Sequence, residues 1–163
     1  MKTIYLAGGC FWGTQMYFDG IRGVTGTTVG YANGKTAHPT YEQVKHENTG
    51  HAETVKVDFD ETAVGVAELI EAYFEVIDPL SVDRQGGDVG RQYRTGIYYD
   101  DETLLPEIEK AYSREETRIG AKLAVELRPL VNFYPAEEYH QNYLVKHPDG
   151  YCHIPREKMK RGK

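Results

Sequence analysis

The sequence predicts an α+β fold, a two-layer α/β sandwich in which helices pack on one mixed central sheet. Strand-like segments alternate loosely with amphipathic helical segments along the chain, which is typical of helices that cover a sheet. The 163 residues are 40% hydrophobic and 27% charged, a balance that suits a folded chain with a single core. These observations predict one domain over residues 1–163. The order of the strands is not readable from the sequence.

The first 60 residues contain three strand patterns and two helix patterns. TIYLAG is a short apolar run that ends in Gly-Gly, and ETVKVDFD alternates so that Val55, Val57 and Phe59 share one face. GVTGTTVGYANG is rich in threonine and valine and ends in a glycine turn. The predicted order is a strand over 3–8, a helix over 11–21, a strand over 23–34, a short helix around Tyr41–Lys45 and a strand over 53–60.

The strongest helix pattern covers residues 61–78. Its members that share one apolar stripe are Val66, Leu69, Ile70, Tyr73 and Ile77. After it we expect a glycine- and charge-rich loop over 79–94, a strand over 95–101, a helix over 104–119, a strand pair or one bulged strand over 123–135, and a short helix over 136–147. An irregular, flexible tail from about residue 145 to residue 163 then carries Cys152.

The charge balance disfavours some classes of partner. A net charge of −6 disfavours nucleic acid, because phosphate binding needs a basic face. We interpret the basic stretch PREKMKRGK as a solvated tail. No apolar run approaches the roughly 18–20 residues that a membrane helix needs. Near the start of the chain, one lysine followed by TIYLA is too short a stretch for a signal peptide, and we expect a cytoplasmic location.

Two cysteines, Cys10 and Cys152, lie far apart in the chain. In a reducing compartment they are either two inert core residues or a redox pair that forms transiently, because permanent structural disulfides are rare there. A metal site is not expected, since the spacing of His140, His147, Cys152 and His153 matches no usual zinc pattern.

Cys10 is placed at the predicted turn between the first strand and the first helix. A helix N-terminus favours thiolate, and Gly8 and Gly9 would allow a tight turn that leaves one side of the sulfur open. Phe11 and Trp12 follow at once, and aromatic rings form good pockets for methyl and thioether groups. This arrangement suggests a substrate with a methyl group beside a polar, electrophilic centre. The alternative is a small buried cysteine with two core aromatics.

Six segments, in order across nearly the whole chain, resemble one family. They are GGCFWG at 8–13, VGYANG at 29–34, PTYEQV at 39–44, TGHAE at 49–53, GGDVGRQYRTGIYY at 86–99 and AEEYHQNYLVKHPDGYC at 136–152. With these segments the chain resembles the A class of peptide methionine sulfoxide reductases. The resemblance implies one catalytic domain. The family usually has a glutamate where this chain has Gln15, which puts the local hydrogen bonding in question.

The resemblance implies a role for each site residue. Cys10 is the nucleophile, and Glu53 is the acid that protonates the sulfoxide oxygen. That role needs a carboxyl with a raised pKa, which a pocket lined by Phe11 and Trp12 would supply by desolvation. Tyr41 and Tyr93 match the two pocket tyrosines whose hydroxyls hold the oxygen.

Asp88 matches a loop aspartate that accepts from the substrate backbone. Without the family pattern, Glu53 reads as an exposed carboxylate at a strand end, and Asp88 and the tyrosines read as a turn residue and packing residues. We take His51 and His140 as structural or supporting.

The resemblance also implies a reaction. The S epimer of methionine sulfoxide, free or in oxidised proteins and peptides, is reduced while Cys10 becomes a sulfenic acid. Cys152 then forms a disulfide with Cys10, and thioredoxin, or dithiothreitol in its place, reduces it. No bound cofactor is implied, and we expect a monomer. Two rival functions are a thiol peroxidase and a peptide-binding module with an unreactive cysteine.

Overall fold

Eight β-strands and five α-helices make up the part of the chain that the computed structural model describes, residues 1–155. The strands are β1 (Lys2–Gly8), β2 (Val24–Ala32), β3 (Ala52–Phe59), β4 (Arg84–Gln85), β5 (Asp88–Val89), β6 (Thr95–Tyr99), β7 (Glu126–Pro129) and β8 (Phe133–Pro135). The helices are α1 (Phe11–Asp19), α2 (Tyr41–His46), α3 (Val66–Phe74), α4 (Leu105–Ile119) and α5 (Tyr143–Lys146). From residue 156 onward, the predicted basic tail lies outside the described residues.

Six of the strands form one mixed sheet in the order β7-β6-β1-β3-β2-β8. Every neighbouring pair is antiparallel except β6 and β7, which are parallel. β4 and β5 pair separately as a short hairpin within the predicted loop. The predicted α+β fold with a mixed central sheet is therefore confirmed.

The two faces of the sheet have different coverings. The residues of β1 alternate, so that Ile4 and Leu6 belong to the large core that includes the helices, whereas Tyr5 and Ala7 belong to a small second cluster. Val55, Val57 and Phe59 share the helical face, as the alternation in β3 predicts. Leu130 and Phe133 pack on the second cluster. None of the helices within residues 1–155 has the length and apolar character needed to cross a bilayer.

The segment over 123–135 differs from both predicted forms. β7 and β8 do not pair with each other but lie at opposite edges of the six-stranded sheet, so neither a strand pair nor one bulged strand is correct. The side chain of Asn33 holds the connection that leaves β7, since its Nδ2 donates to the Pro129 carbonyl at 3.2 Å and its Oδ1 accepts from the Val131 N–H at 2.7 Å. Local alternation cannot reveal this crossing, because it depends on which distant strand offers a free edge.

The final helix is also different from the predicted one. The continuous helix expected over 136–147 is broken into a 3-10 turn (Glu138–His140) and α5. Asn142 separates them with a φ of 54°, a left-handed conformation that ends a helix. The side chain of Gln141 is used elsewhere, because it pairs with both the N–H and the C=O of Val29 at 3.0 and 2.9 Å. Tertiary hydrogen bonds therefore override the helical pattern.

Tyr73 on α3 holds the end of β1 in place. Its buried hydroxyl donates to the Ala7 carbonyl at 2.6 Å and accepts from the Gly96 N–H at 3.1 Å. Ala7 and Gly96 are paired residues of β1 and β6. The Tyr73 side chain therefore ties these two strands together just before the turn at residues 9 and 10. The apolar stripe of α3 thus positions the first strand as well as filling the core.

Tyr73→Phe should lower the free energy of unfolding by about 1–3 kcal/mol, because it leaves a buried carbonyl and a buried N–H without their partner. Urea denaturation followed by circular dichroism measures this change. Tyr99→Phe is the matched control, since within residues 1–155 the Tyr99 hydroxyl has no hydrogen bond to lose. Equal stabilities for the two variants would contradict the anchoring role of Tyr73.

Candidate active site

Cys10 lies in the turn between β1 and α1, as the sequence predicts. It is the residue before the first turn of α1, and its side chain is only 7% exposed. Gly9 has a φ of 87°, a conformation that a residue with a Cβ rarely adopts. The glycine is therefore required for the chain to reverse from the strand into the helix.

The glycines around Cys10 admit close neighbours. A Cβ at Gly9 would lie 2.8 Å from the Gln85 side chain, and a Cβ at Gly13 would lie 2.9 Å from the Cys152 sulfur. Gln85 is buried and clamped, because its amide pairs with the N–H and C=O of Asp78 at 2.8 and 3.1 Å. The space beside these two glycines is therefore filled by packing, whereas the prediction that one side of the Cys10 sulfur is open stays a prediction.

Glu53 projects from β3 into the interior beside this turn. It is 1% exposed, so the alternative of an exposed strand-end carboxylate is wrong. Its carboxyl accepts the backbone N–H of Phe11 at 3.2 Å. Burial raises its pKa to about 8, and the charge of Asp88 adds to the rise, while the Phe11 N–H and the charge of Lys45 oppose it. At neutral pH this carboxyl therefore holds a proton, as an acid in this position requires.

The pKa of the Cys10 thiol is raised well above its ordinary value. Burial is the main cause, and the charge of Glu53 is the next. The backbone N–H of Trp12 lowers the pKa, as expected at a helix N-terminus, but it is outweighed. The helix N-terminus thus favours the thiolate, as predicted, but desolvation is the larger effect at this site and the thiol stays protonated.

Two tyrosines lie within electrostatic reach of Cys10 and Glu53. Tyr41 begins α2, and Tyr93 ends the 3-10 turn Arg91–Tyr93. Burial, followed by the charge of Glu53, raises the pKa of Tyr41 to about 12 and that of Tyr93 further. Both hydroxyls are consequently protonated and able to donate hydrogen bonds at neutral pH.

Phe11 and Trp12 have different surroundings. Phe11 is buried in the core, with its ring 5.7 Å from that of Tyr31. Trp12 is partly exposed and stacks on Tyr143 at 3.8 Å. Its indole N–H donates to Nδ1 of His140 at 3.0 Å. Trp12 is thus held in one orientation from two directions.

His140 and His51 are both buried, in agreement with their predicted supporting roles. His140 is 1% exposed, and burial lowers its pKa, so its ring is neutral. The Tyr41 ring lies 4.5 Å from it, so His140 connects the tyrosine to the indole of Trp12. His51 pairs with the Thr49 hydroxyl at 3.0 Å.

Asp88 and the described part of the tail meet over the Cys10 turn. Asp88 accepts the Tyr151 hydroxyl at 3.0 Å, and Nε2 of His153 pairs with the Gly8 carbonyl at 2.8 Å. The thiol of Cys152 donates to the Ile154 carbonyl at 3.4 Å, and Ile154 is itself only 2% exposed. Both cysteines are free thiols here, and they lie near enough for the charge of Cys152 to raise the pKa of Cys10.

Gln15 is fully hydrogen-bonded in its buried position on α1. Its carbonyl oxygen accepts the Asn142 N–H at 2.8 Å, and its amide donates to the hydroxyl and carbonyl of Thr27 at 3.2 and 3.4 Å. An amide can both accept and donate in this way, whereas an ionised carboxylate could only accept. The departure from the family pattern therefore leaves no local group unpaired.

Several residues of the site gave no clear signal in the sequence. Gln85, Glu137, Tyr143, Tyr151 and His153 are the members of this set. Tyr143 and Tyr151 fall inside a segment that carries the family resemblance, which could have singled them out. Within residues 1–155, no group of three or more His, Cys, Asp or Glu side chains is arranged to hold a metal ion. The predicted absence of a metal remains a prediction.

Nearly the whole chain is similar to known proteins. Residues 2–163 match the family model of peptide methionine sulfoxide reductase. A peptide methionine sulfoxide reductase MsrA from Lachnoclostridium phytofermentans is 55% identical over 153 residues, which are 94% of this chain and 92% of the relative.

Solved structures give the same result. Mxr1 from Saccharomyces cerevisiae in its reduced form is 37% identical with a TM-score of 0.85, over 93% of this chain and 88% of that one. Mxr1 in complex with Trx2 is matched with a TM-score of 0.60 and 28% identity, over 87% of this chain and 84% of that one. The expected class of oxidoreductase is confirmed, and the chain belongs to the peptide methionine sulfoxide reductase family.

Proposed function

We propose that this protein reduces the S epimer of methionine sulfoxide, free or within oxidised proteins and peptides, and so repairs oxidative damage. The observation that carries the proposal is the burial of Glu53 beside Cys10, which keeps an acid protonated at neutral pH next to a thiol. Reduction of a sulfoxide needs this combination, because the sulfur must be attacked while its oxygen receives a proton.

The first step joins Cys10 to the substrate. The Cys10 sulfur attacks the sulfoxide sulfur, and Glu53 donates its proton to the sulfoxide oxygen. The proton of the Cys10 thiol replaces the one that Glu53 gives up. The oxygen is transferred to Cys10, which becomes a sulfenic acid, and methionine leaves with the electron pair. Tyr41 and Tyr93 donate hydrogen bonds to the oxygen during the transfer.

Binding of the substrate uses the remaining residues of the site. We propose that Phe11 and Trp12 receive the methyl group and that Asp88 accepts from the substrate backbone. Asp88 already accepts a hydrogen bond from Tyr151, so the substrate N–H would compete with the tail for the same carboxylate. This arrangement connects substrate binding to the position of the tail.

The second step regenerates the enzyme. The Cys152 thiol attacks the Cys10 sulfenic acid, which forms the disulfide and releases water. We propose that thioredoxin then reduces the disulfide, which is supported by the likeness to Mxr1, a protein solved in complex with Trx2. Dithiothreitol would serve in its place, and the reaction needs no bound cofactor. A flexible tail would let Cys152 move toward Cys10.

We further propose that the chain is a monomeric cytoplasmic enzyme of one catalytic domain. The two free thiols suit a reducing compartment, in which a catalytic disulfide forms only transiently. A peptide-binding module has no use for a buried acid beside the thiol, and the substrate tested in an assay distinguishes a thiol peroxidase.

An activity assay tests the proposal and Cys10 together. With dithiothreitol present, the wild type should produce methionine from peptides with S-sulfoxide and none from R-sulfoxide. Cys10→Ser should abolish production, because a hydroxyl is a far weaker nucleophile at neutral pH. Chromatography measures the methionine formed. Turnover of hydrogen peroxide alone would support the peroxidase, and binding without reaction would support the binding module.

Glu53→Gln should slow methionine formation about 10²–10⁴-fold, because the amide has no proton to donate. The same change should lower the pKa of Cys10, since the charge of Glu53 is one of the causes that raise it. Alkylation of Cys10 by iodoacetamide against pH measures the second effect. Glu109→Gln, an exposed change on α4, is the control. An unchanged Cys10 pKa would argue against close coupling of the pair.

Cys152→Ser should release one methionine per enzyme and then stop when thioredoxin is the reductant, because the sulfenic acid lacks its partner thiol. Single-turnover quench experiments count the methionine, and dimedone labelling detects the sulfenic acid on Cys10. Continued turnover at the wild-type rate with thioredoxin would show that Cys152 is not required.

A further inference from the structure

The imidazole of His153, in the tail, fills a small space beside the turn that carries Cys10. A Cβ at Gly9 would lie 3.2 Å from its Nε2, and a Cβ at Gly13 would lie 3.3 Å from its Nδ1. Both glycine positions therefore leave room for this imidazole. Ile154, the next residue, is buried in the core and so anchors the chain beside His153.

The hydrogen bond at one ring nitrogen determines the state of the other. Nε2 lies 2.8 Å from the Gly8 carbonyl, which can only accept, so Nε2 carries the proton. In the neutral ring Nδ1 is then an unprotonated base. Nδ1 is buried and has no hydrogen-bond partner within residues 1–155. Leaving such an acceptor unpaired is costly, which points to a use for it.

The unpaired nitrogen lies beside the thiol of Cys152. The Cys152 sulfur is 2.9 Å and His153 Nδ1 is 3.3 Å from the same point, the position of a Cβ at Gly13. In this structure the thiol donates to the Ile154 carbonyl at 3.4 Å, and because a thiol is a weak donor, rotation of the side chain would release this bond at little cost. Because both atoms border this one point, the free base and the thiol sulfur lie within about 6 Å of each other.

We propose that His153 is the general base of the resolving step and accepts the Cys152 thiol proton at Nδ1, an inference that rests on the proposed function. The Cys152 sulfur then forms its bond to the Cys10 sulfur. The bond from the Cys10 sulfur to oxygen breaks, and the oxygen leaves as water with the proton that His153 received. The Cys10 sulfur is reduced and the Cys152 sulfur is oxidised as the disulfide forms.

The surroundings of His153 keep the base available at neutral pH. Burial lowers its pKa, whereas the Gly8 hydrogen bond and the charge of Asp88 raise it. The other titratable groups around it are Cys10 at the turn and Tyr151 and Cys152 in the tail. Because its pKa is depressed below 6.5, the ring becomes a base as the pH rises through an acidic range. The resolving step should therefore be fully active at pH 7 and slow at acid pH.

The test separates the resolving step from sulfoxide reduction. The reduced full-length chain is oxidised with one equivalent of hydrogen peroxide, which converts Cys10 to a sulfenic acid without any sulfoxide. Disulfide formation is followed by quenching, alkylation and mass spectrometry between pH 5 and pH 9. His153→Gln keeps a donor for the Gly8 carbonyl but has no basic nitrogen, whereas His153→Ala loses both. His46→Gln, an exposed change on α2, is the matched control.

We expect both His153 variants to form the disulfide about 10²-fold more slowly at pH 7, with rates that keep rising with pH as thiolate forms unaided. Added imidazole should accelerate disulfide formation in His153→Ala, because the space of the missing ring can accept it. Release of the first methionine from sulfoxide should stay within about twofold of the wild type in His153→Gln.

Three results would overturn the inference. The first is a wild-type rate and pH dependence of disulfide formation in His153→Gln. The second is a wild-type rate at pH 7 in His153→Gln beside a slow rate in His153→Ala, which would mean that only the hydrogen bond to Gly8 matters. The third is loss of the first methionine in both variants. If the wild type forms the disulfide with peroxide but produces no methionine from sulfoxide, the proposed function fails while the role of His153 is retained.

Discussion

The contact between the Glu53 carboxyl and the Phe11 N–H is the interaction on which the site depends. It joins β3, in the middle of the sheet, to the first residue of α1, where the turn that carries Cys10 ends. Because the carboxyl is buried, its neutral form is favoured, and its charged form raises the pKa values of Cys10, Tyr41 and Tyr93. Each of these groups is kept protonated mainly by its own burial, and the charge of Glu53 adds to this effect for the other three.

A buried thiol with a raised pKa has a consequence for selectivity. At neutral pH such a cysteine is mostly protonated, and it reacts slowly with electrophiles that cannot enter the site. A substrate that brings its own acceptor oxygen to Glu53 supplies what the free site lacks. Cys10 is only 7% exposed, so little bulk water reaches its side chain. The same desolvation therefore protects the Cys10 thiol from other electrophiles and keeps Glu53 protonated for the substrate.

The amide of Gln15 helps to position Trp12 and Tyr143, the stacked aromatic pair beside the site. Gln15 ties α1 to Thr27 on β2 and to Asn142, the residue that opens α5. α5 supplies Tyr143, which stacks on Trp12. The break in the final helix is therefore part of the site's construction, since a continuous helix would present different side chains to the indole. A polar residue in the core of α1 sets the position of an aromatic residue at the surface.

Local sequence determined much of this protein. Alternation in ETVKVDFD, the apolar stripe of α3 and the Gly-Gly turn predicted β3, the packing of α3 and the position of Cys10, because each is governed by neighbours within a few residues. The shared segments also predicted the family. Only the tertiary structure decided that β7 and β8 lie at opposite edges of the sheet and that the last helix breaks at Asn142. It also decided the protonation of Cys10 and the position of His153. These features depend on burial and on partners that are distant in the chain, and no local pattern contains that information.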